Sequence, residues 1–296
     1  LDVVGDKPVT HDFAQACDLV ARTRRGQRVF AIAHGYTAYP MTRYARHLVR
    51  EGTLGPVRLV QVEYIQAGMA TRVEDGPQNN RFRWILDPQR SGLALVMSAI
   101  GCHAQHLASH ASGLDVARVV ADVRALLPGR TVIDYVSALV EFEGGARGTF
   151  TVTQAAAGGE NDIRLRIYGD RGMLEWWHRD PSYLRVALQG EPARVFGRGD
   201  PFLPAEIVAG GRTPRGHPEG LREAFANIYS TTMSMHNVAP GLDRRRVAVV
   251  VGVVATAQRM FLSSHDLGVV LVVCTAAGVV AVGIGLLLAR RVDQLE

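Results

Sequence analysis

The segment HDFAQACDLVARTRR (11–25) places apolar residues at Phe13, Ala16, Cys17 and Val20, the three-and-four spacing that predicts an amphipathic helix closed by Gly26. Before it, LDVV running into DKP predicts the end of a buried strand, and after it RVFAIAH predicts a short apolar strand. A second helix is predicted in PMTRYARHLVREG (40–52), with Pro40 suited to its first turn and Gly52 to its stop. Strand, helix, strand, helix in this order describes an α/β layer with parallel strands.

From GPVRLVQVEYIQ (55–66) the rhythm changes. Between about 117 and 197 the segments ARVVADVR, YVSALVEFE, GTFTVTQAA, IRLRIYG, GMLEWW, YLRVAL and ARVFG are short and rich in Val, Ile, Thr and aromatics. Turns such as EGGARG and GDRG separate them, so they predict a mostly antiparallel sheet and an α+β class for the chain. GHPEGLREAFANIYSTTMS predicts a helix with Pro218 at its first position and acids in its opening turns. Residues 267–289 are uncharged and end at Arg290 and Arg291; their length predicts a membrane-spanning helix, because four glycines and many valines make a poor soluble one.

With 47% apolar and 21% charged residues, the 296-residue chain is globular and long enough for about two cores. The net charge of +5 and pI of 9.4 could suit nucleic acid. The arginines are scattered, however, and the tight clusters RTRRG (22–26) and RRR (244–246) have no interleaved aromatics, which argues against nucleic-acid binding. Cys17, Cys102 and Cys274 are odd in number and far apart, arguing for a reducing, cytoplasmic compartment rather than a disulfide framework. No signal peptide is legible, and the start reads as a fragment cut inside a strand.

Lys7 is the sole lysine; every other Lys/Arg-type cation is arginine. A position that stays lysine in such a chain points to a compact ammonium that can give up its proton, which arginine cannot do. His103, His106 and His110 stand at i, i+3 and i+7 on one side of a helix. HAQHLASH is not H-E-x-x-H and lacks a nearby carboxylate, so no metal site is expected, and His106 and His110 are assigned to packing or the surface.

DKPVT, AHGYTAYPMTRYARHLVREGTLGPVRLVQVEY (33–64), WILDPQRSG with IGCHAQHLASHASGL (84–114), YGDRGMLEWWHRDPSYL and GHPEGLREAFANIY together resemble the glucose-fructose oxidoreductase, inositol dehydrogenase and MocA-like (Gfo/Idh/MocA) group of NAD(P)-dependent oxidoreductases. The resemblance runs in order over roughly residues 1 to 240. It implies a Rossmann remnant over 1–54, an α+β substrate domain over 55–240, a helix or linker over 241–266, and the membrane helix over 267–289. It implies NAD or NADP as cofactor, with Asp6, Lys7 and Pro8 beside it, a sugar or cyclitol as substrate, and homo-oligomers formed through the sheet.

His103 matches the family histidine set against the nicotinamide, which takes a hydroxyl proton, and Lys7 the lysine that steadies the developing oxyanion. His217 matches a motif near the substrate cleft, though it also reads as a residue at a helix start. Tyr36 and Trp84 line a sugar pocket or belong to the core. Two departures stand out. The chain contains no G-x-G-x-x-G, so the phosphate-binding turn is expected to be missing from it. In SGLALVMSAIGCH, Leu93, Ala94 and Leu95 replace a Gly-rich stretch, and Ala99 stands where the family has an aspartate, leaving the proton relay incomplete. The competing expectation is a non-catalytic, membrane-tethered sugar-binding or dimerisation module.

Overall fold

The computed structural model describes residues 3–10, 12–26, 29–76, 84–209, 211, 213–217, 219–226 and 270–272. Strand β1 (Val3–Gly5), helix α1 (Phe13–Gly26) and strand β2 (Phe30–Ile32) form the first unit, and β1 pairs with β2 in parallel. The crossover helix supplies the apolar side that such a pair needs. Ala16 is buried there, with Val9, Phe13, Val20, Phe30 and Ile32 partly buried around it.

A 3₁₀ turn (Gly35–Ala38) leads into α2 (Pro40–Arg50), whose Pro40 occupies the opening turn as expected. Thr42 Oγ1 donates to the carbonyls of both Tyr36 and Tyr39 at 2.9 Å, which locks the turn to the helix. The strand–helix rhythm groups α2 with the unit before it. In the fold its apolar face (Met41, Tyr44, Ala45, Leu48) belongs instead to the core of the large sheet.

That sheet contains β3 (Val57–Ile65), β4 (Val116–Arg124), β5 (Tyr135–Phe142), β6 (Arg147–Thr153), β7 (Asp162–Gly169), β8 (Gly172–Trp177), β9 (Tyr183–Leu188) and β10 (Arg194–Gly197). With β11 (Val270–Val272) the order is β10-β9-β8-β7-β3-β6-β5-β4-β11. Only β3 with β6 is parallel; β3 slots between β6 and β7, which are consecutive in the chain. Alternation then puts Val60, Val62 and Tyr64 of β3, Ile163, Leu165 and Ile167 of β7, and Leu174 and Trp176 of β8 on one buried face. Helices α2 and α3 (Cys102–Ser112) cover that face, and α3 follows a π turn at Met97–Gly101.

The membrane-spanning helix expected over 267–289 is not what the described residues show. Val270–Val272 pair antiparallel with Val119–Ala121 as an edge strand, in keeping with the β preference of branched side chains. Among the described residues no helix is long and apolar enough to cross a membrane. The remainder of 267–289, the segment 241–266 and Pro218 lie outside the described residues.

Candidate active site

The loop after β1 turns back at Asp6, whose carboxylate accepts the Lys7 amide at 2.8 Å, and a cis peptide joins Lys7 to Pro8. The Lys7 ammonium donates to the carbonyl of Ala99 in the π turn. A π turn widens the helical ladder and recurs at functional sites; here it presents a carbonyl to the cation one turn ahead of His103. A Cβ on Gly101 would meet the Met97 sulfur at 2.5 Å, so any larger residue there would have to displace the Met97 side chain. Leu93 is exposed, whereas Ala94 and Leu95 turn into the core.

His103 is buried, and its ring stands edge-on to Tyr36 at 4.9 Å and to His34 at 5.7 Å. Burial, then the Lys7 charge and His106, push its pKa down to about 3, so the imidazole is neutral at pH 7. Its Nδ1 is buried and has no hydrogen-bond partner among the described residues. Among the described residues no carboxylate acts on it, and Ala99 stands one turn ahead of it.

Behind His103 lies a polar floor. Tyr36 and Tyr64 share a 2.6 Å hydroxyl contact, Tyr64 donates to Asn161 Oδ1 at 2.7 Å, and Asn161 Nδ2 donates to Tyr36 at 2.8 Å. Gln66 Nε2 donates to Asn161 Oδ1 at 2.6 Å, and Gln154 Nε2 to Gln66 Oε1 at 3.0 Å. His178 Nδ1 faces the Asn161 carbonyl at 3.0 Å, leaving Nε2 to accept from the Tyr39 hydroxyl at 3.2 Å. Burial raises the pKa of Tyr36, Tyr39 and Tyr64, so these phenols stay protonated and orient a ligand instead of acting as bases. The Cys102 thiol, pushed up to about 11 chiefly by burial, is inert.

Of the residues singled out from sequence, Lys7, Tyr36 and His103 converge. Asp6 is exposed and holds the loop, with Pro8 beside it half-buried. Trp84 is 47% exposed. The His217 side chain is exposed while its carbonyl accepts Arg198 at 2.7 Å, so its role here is in the loop that carries the helix at 221–226. That helix presses on the site: a Cβ on Gly35 would meet Leu221 at 2.8 Å. Sequence reasoning missed His34, Tyr64, Gln66, Asn161 and His178. Tyr64 and Gln66 have a usable signal, being polar-tipped residues at the inward end of an apolar strand; Asn161 has none.

Residues 42–175 match the GFO/IDH/MocA C-terminal domain. An uncharacterized oxidoreductase, YfiI of Bacillus subtilis (strain 168), is 27% identical over 230 residues, 77% of this chain and 58% of that protein. The chain thus spans little more than half the length of this curated relative. An inositol dehydrogenase homologue from Azotobacter vinelandii, solved with NAD+, superposes with a TM-score of 0.79 at 28% identity over 87% of this chain and 69% of its own. An inositol dehydrogenase homologue from Azotobacter vinelandii has also been solved with NADH and myo-inositol, at 27% identity and a TM-score of 0.74 over 88% of this chain and 70% of its own. An oxidoreductase from Sinorhizobium meliloti is 32% identical over 87% of this chain and 70% of its own, with a TM-score of 0.70. Sequence match and fold agree, and the chain belongs to the GFO/IDH/MocA family.

Proposed function

We propose that these residues form the substrate side of an NAD(P)-dependent oxidoreductase that oxidises a secondary alcohol of a sugar or cyclitol. The observation that carries this reading is a neutral, buried His103 one helical turn from the carbonyl that holds the Lys7 ammonium, above a floor of paired hydroxyls and amides. The solved relative with NADH and myo-inositol supports the cofactor and substrate class.

The residues present fit the nicotinamide end of the dinucleotide: a cation at Lys7 and an unpartnered imidazole nitrogen at His103 converge beside Asp6 and Pro8. They do not supply the pyrophosphate cradle, since no G-x-G-x-x-G occurs among them. When bound, the nicotinamide supplies the hydride acceptor. His103 takes the hydroxyl proton, for which a neutral imidazole is required. Lys7 stabilises the negative charge that develops on the substrate oxygen. Asn161, Tyr36, Tyr64 and Gln66 hold the other hydroxyls. Pairing of two copies through the open face of the sheet, where Leu139 is 66% exposed, belongs to the same proposal; sedimentation of the chain against Leu139→Arg tests it.

The catalytic test uses the chain fused to the dinucleotide-binding segment of a relative, with NAD+ or NADP+ and a panel of cyclitols and aldoses including myo-inositol. Lys7→Met and His103→Ala should each lower turnover by about 10²-fold or more, with thermal melts unchanged. An active fusion indifferent to both substitutions would sink the mechanism.

A further inference from the structure

The active-site description leaves three more imidazoles unexplained. His34, reached from β2, stacks flat on His106 with ring centroids 3.9 Å apart, and His106 lies over His110 at 6.0 Å. With His103 edge-on to His34, the four rings form one continuous column. It runs from the candidate active site to an open cleft of about 260 Å³ lined by Arg43, Arg46, His47, Arg50, His110 and Glu206.

Both nitrogens of His34, Nδ1 of His103, Nδ1 of His106 and Nε2 of His110 are buried with no partner among the described residues. Each such group costs about 1–3 kcal/mol if left unpaired, and folded chains retain them where ordered water completes the bonding. Among the described residues the charged groups that act on the column are cations, Lys7 on His34 and His103, Arg43 and Arg46 on His110, and Arg46 on His106, with Glu206 in the cleft at its far end. A standing imidazolium is therefore disfavoured along it.

We propose that His34, His106 and His110, with water joining their free nitrogens, conduct the substrate's hydroxyl proton from His103 to the Arg43–Arg46 cleft. This rests on the oxidoreductase reading above. The substrate O–H bond breaks as an N–H bond forms on one nitrogen of His103, and the opposite nitrogen, Nδ1, releases its proton to the column. Each water or ring accepts one proton and gives up another, and the last leaves His110 for a base in solvent. No electrons travel along the path. The conduit takes over the role left open by Ala99.

Two measurements on His106→Gln and His106→Phe decide it. Gln keeps a polar group but cannot pass a proton on. In ¹⁵N-imidazole NMR of the 296-residue chain, His34 and His103 should show exchange with internal water that His106→Phe removes; rings without water contact in the parent would overturn the proposal. In the fused protein with myo-inositol and NAD+, both variants should lower kcat by about 10²-fold with KM unchanged. They should also raise the solvent deuterium isotope effect, with activity recovered by added imidazole. Parental kcat and isotope effect in both variants would overturn the conduit while leaving the oxidoreductase reading intact. A fused parent inert to the whole substrate panel would overturn that reading and the conduit with it.

Discussion

The β1–α1–β2 unit and the nine-stranded sheet divide the candidate site between them, and they are built very differently. Among the described residues of the unit Ala16 is the buried core residue, and Val3 and Val4 stay 44% and 40% exposed. In the sheet Trp176, Ile163, Leu165, Ile167, Leu174 and Leu184 are all completely buried under α2 and α3. Lys7 stands on the sparse side and His103 on the dense one, joined through the Ala99 carbonyl. The proposed base is thus carried by the densely packed body and the cation by the sparsely packed one. Local stability is expected to follow the same division.

Truncation should separate the two most sharply. Leu165→Ala removes a side chain enclosed by β3 and β8 and should cost about 2–5 kcal/mol in urea unfolding. Phe13→Ala in the unit should shift the same transition by less than about 1 kcal/mol while speeding amide exchange over β1 and β2. Equal costs would mean that the two regions unfold as one body.

A smaller effect comes from acid. His103 and His110 are held near 3 and His106 near 4, mainly by burial, against about 6.5 in an unfolded chain. As pH falls the unfolded chain takes up protons first. The stability contributed by these neutral rings is complete above about pH 6.5 and is lost progressively between there and about pH 3. At pH 5 each ring accounts for roughly 2 kcal/mol. Urea midpoints at pH 7, 6 and 5 should fall steeply for the parent and less so for His106→Gln. Matching slopes would show that the column does not set acid sensitivity. The three rings lie on α3, where Arg43 and Arg46 of α2 act on His110 and Arg46 on His106.

Local rules carried far along this chain. The spacing of Phe13, Ala16 and Val20, the start at Pro40, and the alternating strands from 117 to 197 are periodicities of 3.6 and 2, written residue by residue, and each element formed as read. Lys7 and His103 stood out by rarity and by family motif, and the fold brought both to one place.

What the sequence could not decide was pairing between distant segments. Nothing local marks α2 as part of the sheet's core or β3 as the strand between β6 and β7, because the apolar face of an element does not name its partner. The valines at 270–272 suited a membrane helix and a strand equally, and the ladder with β4 chose the strand. The i, i+3, i+7 stripe of histidines was visible, with His103 read as the base and His106 and His110 as packing or surface residues. Its meaning depends on His34, distant in sequence, arriving flat against His106. Periodicity determines which residues face inward; only tertiary contact, by burying a ring beside particular neighbours and cutting it off from water, determines whether it packs, ionises or passes on a proton.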